Sequence, residues 1–460
     1  MCEVRVNAWW KPAVVGILTA SVLAAAGPSA GGRSSGDVRV EGRTLIDDDG
    51  PFTVLGASLF WGAWGYRHDR ARLERTLEFL AGRGADAIRV LAAVGPSGGW
   101  DDRVVDPRWP DYDEVVTGLT DLAFDGYGLR VQWTIFGGVD LVPTPAGRKA
   151  LVDRIGRLLA ARTNKVLFVE IANEGYQNGF GDPGGLEELR GLGRRLSEST
   201  SLLVALTAPQ NDEAASFSPA RVYHGASVPI ATLHHDRDVS GPRGAWRPIR
   251  APWSAVGLRD VLPPVLASNE PIGPSSSVAG ESDPTRLAAA ALVSWLSGHS
   301  VYVFHAGPGI RGGGAVDLEL GRPANFDDGP ATGRQLDALA NAQGLLPADI
   351  AAWTPVSGRD AGSPLRGEDV FCAVRDAAFR CVVLLRGGQD GVTAARALTA
   401  AGHDPLTGAV VARFEVGAGQ PLPLDAAPSV LVLDGAARTA LPATLADRVA
   451  EGLERRPVRR

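Results

Sequence analysis

Residues 166–180 read VLFVEIANEGYQNGF. The run from Val166 to Ala172 is apolar except for one interior acid, Glu170. Apolar residues without polar alternation predict a strand buried on both faces, as in a parallel sheet covered by helices. The run stops on Asn173-Glu174 and opens into a polar, aromatic loop. The same pair closes a second apolar run, VLASNE (265–270), as Asn269-Glu270. Two buried strands that each end on an amide and a carboxylate deliver the same chemistry to one end of a sheet.

The chain around this stretch alternates strand-like and helix-like segments. FTVLGASLFW (52–61) precedes the helical DRARLERTLEFLAGRG (69–84), and DAIRVLAAVG (86–95) precedes DYDEVVTGLTDLAFDGYG (111–128). LRVQWTIFGG, KVLFVEIANE, SLLVALTAPQ, PIATLHHDRD, PPVLASNEPIG and SVYVFHAGPG complete eight strand candidates. Eight such units over roughly 300 residues match a (β/α)8 TIM barrel of the α/β class. The weakest link is between the fifth and sixth strands, where the intervening helix is short. A doubly wound sheet is the runner-up. It would want a Gly-rich phosphate loop after the first strand, and SLFWGAWGYR (58–67) is not GxGxxG. DVRVEGRTLIDDDGPFTVLG reads as a hairpin that leads into the barrel. From about Pro364 the pattern becomes short strands separated by Gly, Pro and Asp, a small antiparallel β domain. The expected division is a signal peptide at 1–26, a linker at 27–37, the barrel with its hairpin at 38–355, a sandwich-like β domain at 356–437 and an Arg-rich tail at 438–460.

The chain of 460 residues carries a formal charge of −6, which gives no basic excess for nucleic acid. Arg5 and Lys11 precede an apolar run from Ala13 to Ala26, and Ala24-x-Ala26 resembles a cleavage site. That is the three-part pattern of a secretory signal peptide; a retained anchor is the alternative, but the run is short of the roughly 20 residues a span needs. Export to the cell surface, the periplasm or the medium follows, with no membrane contact after cleavage. Cys2 lies in this leader. VFCAVRDAAFRCVVLL reads as two strands about a turn at Asp376-Ala377, which sets Cys372 opposite Cys381. An exported chain can oxidise this pair to a disulfide; two free thiols in a small core are the alternative.

In a barrel of this type the active site lies at the C-terminal ends of the strands. Glu174 ends the fourth strand and Glu270 the seventh, which face one another across the mouth. Paired carboxylates across a cleft are what hydrolysis of a glycosidic bond needs: one acid, and one nucleophile or base according to their separation. HExxH, CxxC, Walker and GxSxG patterns are absent, and His234-His235-Asp236 alone is a poor metal signal, so neither a metal nor a cofactor is expected. Oligomeric state is not encoded in any feature of the chain.

These motifs resemble clan-A glycoside hydrolases, the retaining superfamily that includes family 5 cellulases and mannanases. EIANE (170–174) is similar to the clan's fourth-strand motif. The resemblance implies that Glu174 is the acid/base, Asn173 binds the sugar hydroxyl beside the reacting carbon, and Glu270 is the nucleophile. It also implies that Arg89, in DAIRV, supports Glu270. The clan often carries His-x-Tyr after the sixth strand; TLHHDR supplies His234 but Asp236 in place of Tyr. The clan's Trp after the eighth strand is replaced by His305, and its His near the third strand is missing, with Trp133 and Phe136 nearby. The implied partner is a carbohydrate substrate, contacted by Arg89, Asn173, His234, Trp61, Trp133, Tyr176, Asn269 and His305. Trp64, Tyr66, Trp100, Trp109, Trp246 and Trp253 also fall in mouth loops; half or more of these rings are expected to pack within the loops. Arg237, Arg243, Arg247 and Arg250 suit an acidic sugar or a locally paired surface. Catalysis by this pair requires Glu270 ionised and Glu174 protonated, the latter in a less polar wall near the charge of Glu270. The competing readings are a non-catalytic carbohydrate-binding protein on a degenerate barrel and a hydrolase of esters or amides, which would want a Ser, Cys or metal centre.

Overall fold

The structure is a computed structural model that describes residues 35–97, 102–209, 215–241, 244–275, 279–314, 323–385, 391–424 and 429–437. The expected leader at 1–26, most of the linker, Trp100, Arg243 and the tail at 438–460 lie outside the described residues. Among those described, no helix is long and apolar enough to cross a membrane.

The N-terminal segment folds as three short antiparallel strands, β1 (Arg39–Glu41), β2 (Thr44–Asp47) and β3 (Gly50–Phe52). Eight parallel strands follow: β4 (Val54–Ser58), β5 (Ala87–Ala93), β6 (Arg130–Phe136), β7 (Val166–Ala172), β8 (Val204–Thr207), β9 (Ile230–Leu233), β10 (Val265–Ser268) and β11 (His299–Phe304). They form a closed barrel in chain order, with β11 pairing β4. Every residue of every barrel strand is buried, which is why these strands read as continuous apolar runs. One face of each strand fills the barrel and the other packs on helices. Between β8 and β9 the only helix among the described residues is Pro219–Tyr223, so the short fifth unit of the sequence reading is real.

Val38 and Leu45 of the N-terminal segment join Val54, Ala87, Phe168, Ile230, Val265 and Val301 in one apolar cluster. The segment therefore caps the N-terminal end of the barrel. The buried pair Arg130–Asp47, at 2.8 Å, ties it there.

The C-terminal region holds β12 (Thr354–Ser357), β13 (Leu365–Arg366), β14 (Val370–Arg375), β15 (Ala378–Leu384), β16 (Thr393–Ala394), β17 (Leu398–His403), β18 (Val410–Val416) and β19 (Val430–Ala437). Six of them form one antiparallel sheet in the order β12-β14-β15-β19-β17-β18, and β13 and β16 make a two-stranded ribbon. The expected sandwich is thus a single large sheet with a ribbon. The barrel and its helices cover one face of the sheet, and Leu365 and Ala394 of the ribbon join the cluster on the other. Phe371, Ala373, Val382 and Val432 join the apolar cluster of the barrel and its surrounding helices, whereas Cys372, Val374, Cys381 and Leu433 belong to a separate cluster on the other face. The alternation has the period of two that a strand imposes. Trp253, after the sixth barrel strand, packs on Phe371 with ring centroids 4.9 Å apart. β14 and β15 pair about Asp376-Ala377 with Cys372 opposite Cys381, and a disulfide joins the two. Asp376 takes φ 51°, a left-handed value that Asp tolerates in a tight hairpin turn.

Candidate active site

Strand geometry sets the site in two layers. The lower layer is a buried polar network inside the barrel. Gln132 on β6 donates to Asn269 Oδ1 beyond β10 at 3.1 Å, and Asn269 Nδ2 donates to Glu170 Oε1 on β7 at 3.2 Å. β10 neighbours neither β6 nor β7, so these side chains meet only through the barrel interior. Thr134 Oγ1 donates to Glu170 Oε2 at 2.7 Å. At the centre lies Arg89 of β5, fully buried. Its Nη2 donates to Glu170 Oε2 at 2.9 Å and to Asn173 Oδ1 at 2.8 Å, its Nη1 to Glu270 Oε1 at 2.9 Å, and its Nε to Thr134 Oγ1 at 3.3 Å. The acid inside the strand thus has its reason: Glu170 compensates Arg89, and Arg89 holds Glu270. Charges taken out of water need this degree of pairing.

The upper layer faces the mouth. Glu174 and Glu270 each follow the end of their strand, and an oxygen of each lies with His234 Nδ1 in a triangle of atoms within 4.8 Å of one another. His234 Nδ1 is 3.0 Å from Glu174 Oε1 and 3.7 Å from Glu270 Oε2. Arg237 Nη1 donates to Glu270 Oε2, and its Nη2 stands 3.9 Å from Glu174 Oε1. Tyr176 Oη donates to Glu174 Oε1 at 3.5 Å, and Gln177 Nε2 donates to Glu174 Oε2. His305 Nε2 lies 3.7 Å from Glu270 Oε2, while its Nδ1 meets Ser58 Oγ at 2.9 Å. Glu174 itself adopts φ 41°, a left-handed value that costs a non-glycine residue about 1–3 kcal/mol. Such strain persists where surrounding contacts over-determine a position, and here four side chains converge on one carboxylate.

Of the residues expected to contact substrate, Asn173, Glu174, His234, Tyr176 and Glu270 gather at this mouth, and His305 forms its floor. Asn173 is half-buried, and its NH2 group makes no hydrogen bond among the described residues. Arg89 reaches the site only through Glu270, Glu170 and Asn173. Three expectations are corrected. Asn269 is fully buried, with its amide spent on Gln132 and Glu170, so it organises the lower layer. Trp133 is also fully buried; side chains alternate along β6, and while Gln132 and Thr134 point inward, Trp133 points outward and donates to Thr120 Oγ1 of the surrounding helix at 3.0 Å. Trp61 is buried too, donating to the Pro308 carbonyl at 2.8 Å beneath the guanidinium of Arg72, 4.7 Å away. Other rings pack within the loops: Trp64 stacks on His68, which meets Trp109 edge-on. In the Arg-rich loop, Arg247 pairs with Asp236 at 2.9 Å and Arg250 with Asp369. Arg237 is the site residue that sequence reasoning placed only in a general basic loop. Its signal was slight, an Arg three positions beyond His234.

Burial acts most strongly on Glu270 and raises its carboxyl. The imidazoles of His234 and His305 and the guanidinium groups of Arg237 and Arg89 outweigh burial and hold it well below the usual carboxylate range. His305 is itself pushed down to about 3 by burial, so near neutrality it carries no charge of its own, whereas the two arginines stay charged beside Glu270. Glu174 departs from expectation. Burial is again the largest influence and raises it, as does the charge of Glu270. The hydrogen bond and charge of His234, with Arg237, nevertheless bring it below the usual range in the ligand-free site. The triangle of Glu174, His234 and Glu270 has the donor types of a divalent-cation site. Its carboxylates already carry two guanidinium partners, and a cation there would face both, so the arrangement does not fit a metal.

Acid stability follows from the same groups. Burial pushes His299 down to about 4, His305 to about 3, and His235, which shares a 3.0 Å contact with His299, well below 6.5. A base depressed in the folded chain contributes stability above its unfolded value that is lost as pH falls toward the folded value. Glu174 and Glu270, also depressed, add losses of the same sign below about 4.3, the unfolded value of Glu. The denaturation midpoint in urea is therefore expected to fall continuously from about pH 6.5 to pH 4. A midpoint unchanged between pH 7 and pH 4 would contradict the assignment of these histidines as buried and neutral.

No protein-family model matches the sequence, and no curated protein matches it. Solved structures do. A glycoside hydrolase family 5 structure from Bacteroides vulgatus ATCC 8482 aligns with a TM-score of 0.63 and 13% identity, covering 88% of this chain and 97% of that one. A second structure, described as a glycoside hydrolase, aligns with a TM-score of 0.61 and 13% identity over the same shares of the two chains. At this identity the likeness is one of fold, and it spans barrel and C-terminal sheet together: the chain has the (β/α)8 architecture of these glycoside hydrolase structures along nearly the whole of theirs.

Proposed function

We propose that this chain hydrolyses O-glycosidic bonds of an oligosaccharide, polysaccharide or glycoconjugate by a retaining double displacement, and that it acts outside the cytoplasm after removal of its N-terminal leader. The observation that carries the reading is the facing pair Glu174 and Glu270, with carboxylate oxygens within 4.8 Å across the barrel mouth. Retaining enzymes set their carboxyl groups about 5–5.5 Å apart, whereas inverting ones leave about 6.5–9.5 Å for a water. The disulfide is consistent with an oxidising compartment.

Glu270 is the nucleophile in this scheme. Arg89 and Arg237 keep it ionised, and Arg89, fixed by four bonds, sets its direction. Glu174 is the acid and later the base. In the ligand-free site His234 and Arg237 hold it below the usual carboxylate range; a bound sugar that expels water disfavours the charged carboxylate and so favours the protonated acid that the first step needs. Asn173, beside Glu174 and anchored on Arg89, holds the hydroxyl next to the reacting carbon in this scheme. The test is proton NMR of a turned-over aryl glycoside. The first-formed sugar is expected to keep the anomeric configuration of the substrate. Inverted product would reject the double displacement, and no turnover across a broad panel of aryl glycosides would favour a binding protein on the same barrel.

A further inference from the structure

Arg237 occupies an unusual place between the two carboxylates. Its Nη1 donates to Glu270 Oε2 and also to the Glu270 carbonyl at 3.3 Å, while Nη2 stands 3.9 Å from Glu174 Oε1. One guanidinium fork thus faces both acids. Arg89 cannot do this: it is fully buried and bonded to Thr134, Glu170, Asn173 and Glu270. Arg237 follows the end of β9 in a loop and keeps 13% of its side chain exposed. A movement of about 1 Å would bring its Nη2 into hydrogen-bond range of Glu174.

Resting on the proposed retaining reaction, we infer that Arg237 is a positioning residue that follows the negative charge between the two carboxylates, pairing with Glu270 in the resting site and with Glu174 in the glycosyl-enzyme. The chemistry requires such a transfer. In the first step Glu270 Oε2 forms a bond to the anomeric carbon. The glycosidic C–O bond breaks, its electron pair goes to the leaving oxygen, and that oxygen takes the proton of Glu174. Glu270 becomes a neutral ester and Glu174 a carboxylate. Arg237 then loses its partner on Oε2 and finds the new charge on the oxygen it already faces. In the second step Glu174 takes a proton from water, the water oxygen attacks the anomeric carbon, and the ester bond returns its electron pair to Glu270. The charge and Arg237 go back together. A largely buried guanidinium that can reach both anions keeps a charged partner through both steps. Among the described residues, the other side chains facing the pair are His234, which stands near both acids, Tyr176 and Gln177 on Glu174, and His305 and Arg89 on Glu270.

Glu270→Gln serves as a mimic of the neutral ester, and its test needs no turnover. A crystal structure of Glu270→Gln is expected to place an Arg237 nitrogen within about 3.2 Å of a Glu174 oxygen. Glu174, followed by infrared or carbon NMR titration, is expected to titrate lower in Glu270→Gln, and to rise by about one pH unit or more when Arg237→Gln is added. Arg237 remaining on residue 270, with Glu174 indifferent to its removal, would overturn the inference. A kinetic arm uses dinitrophenyl glycosides. Arg237→Gln is expected to slow breakdown of the glycosyl-enzyme by about tenfold or more and to shift the pH profile of that step, with Arg237→Lys recovering part of both. Equal slowing of both steps without a pH shift would count against it. If no glycoside is turned over at all, the hydrolase reading fails, while the structure and titration of Glu270→Gln still decide whether Arg237 follows charge.

Discussion

Replacing Glu270 by Gln is expected to lower kcat on aryl glycosides by on the order of 10⁴-fold or more, the scale seen when an enzyme loses its nucleophile. Gln keeps the shape and one acceptor for Arg89 Nη1 at Oε1, but it cannot form the ester bond to the sugar. The variant leaves Arg237 and Arg89 with less negative charge, so its fold has to be checked by circular dichroism and thermal melting alongside activity. The complementary variant is Glu270→Gly with added azide. A small anion entering the vacated space attacks from the same face as the lost carboxylate and stops there, giving a glycosyl azide of inverted configuration. Glu174→Ala with azide is expected to give the opposite outcome, a product of retained configuration, because the anion then replaces water after Glu270 has reacted. Hydrolysis that survives in Glu270→Gln, or identical azide products from both variants, would remove the assignment of roles to the two acids.

Replacing Arg89 by Met is expected to cost about 3–5 kcal/mol of folding stability and nearly all activity. The stability loss arises because Glu170 and Glu270 are both buried and both bonded to this guanidinium. Removing it leaves Glu170 and Glu270 buried with one shared counter-ion fewer. Arg89→Lys is expected to recover little of either quantity. An ammonium is a compact charge, whereas the planar guanidinium here donates to four side chains in fixed directions. The double variant Arg89→Met with Glu170→Met separates the two effects. It removes the pair together, so urea denaturation is expected to show much of the stability regained, while Glu270 stays unsupported and activity stays lost. A double variant no more stable than Arg89→Met would mean that Glu170 is not the partner that makes Arg89 necessary to the fold.

The barrel was readable because burial writes itself into strand composition. VLFVEIA and its counterparts are apolar at every position since both faces are covered, and the β/α alternation sets their order. The cysteine pairing was readable because hairpin register is set by a tight turn, and Asp376-Ala377 determines which residues oppose. What covers the C-terminal sheet was not legible, because the sequence records only that both of its faces are apolar. One face is buried against the barrel, and nothing local to those strands states what covers them.

At the site, the sequence by itself determined the two acids: a carboxylate that ends a buried apolar strand is conspicuous, and finding it twice, each time after Asn, fixes the facing pair. Tertiary structure decided which neighbours matter. Whether Trp133 faced the mouth or the helices depended on the phase of β6, and a continuous apolar strand carries no alternation from which to read it. Asn173 and Asn269 look alike in sequence, yet one reaches the mouth and the other is held below by Gln132 and Glu170. Arg237 lies in a basic loop, and only the folding of that loop over the barrel end brings its guanidinium between Glu174 and Glu270. Strand composition is a local consequence of burial, whereas the partners of a charge are set by closure of the barrel across 181 residues of chain, the separation of Arg89 and Glu270.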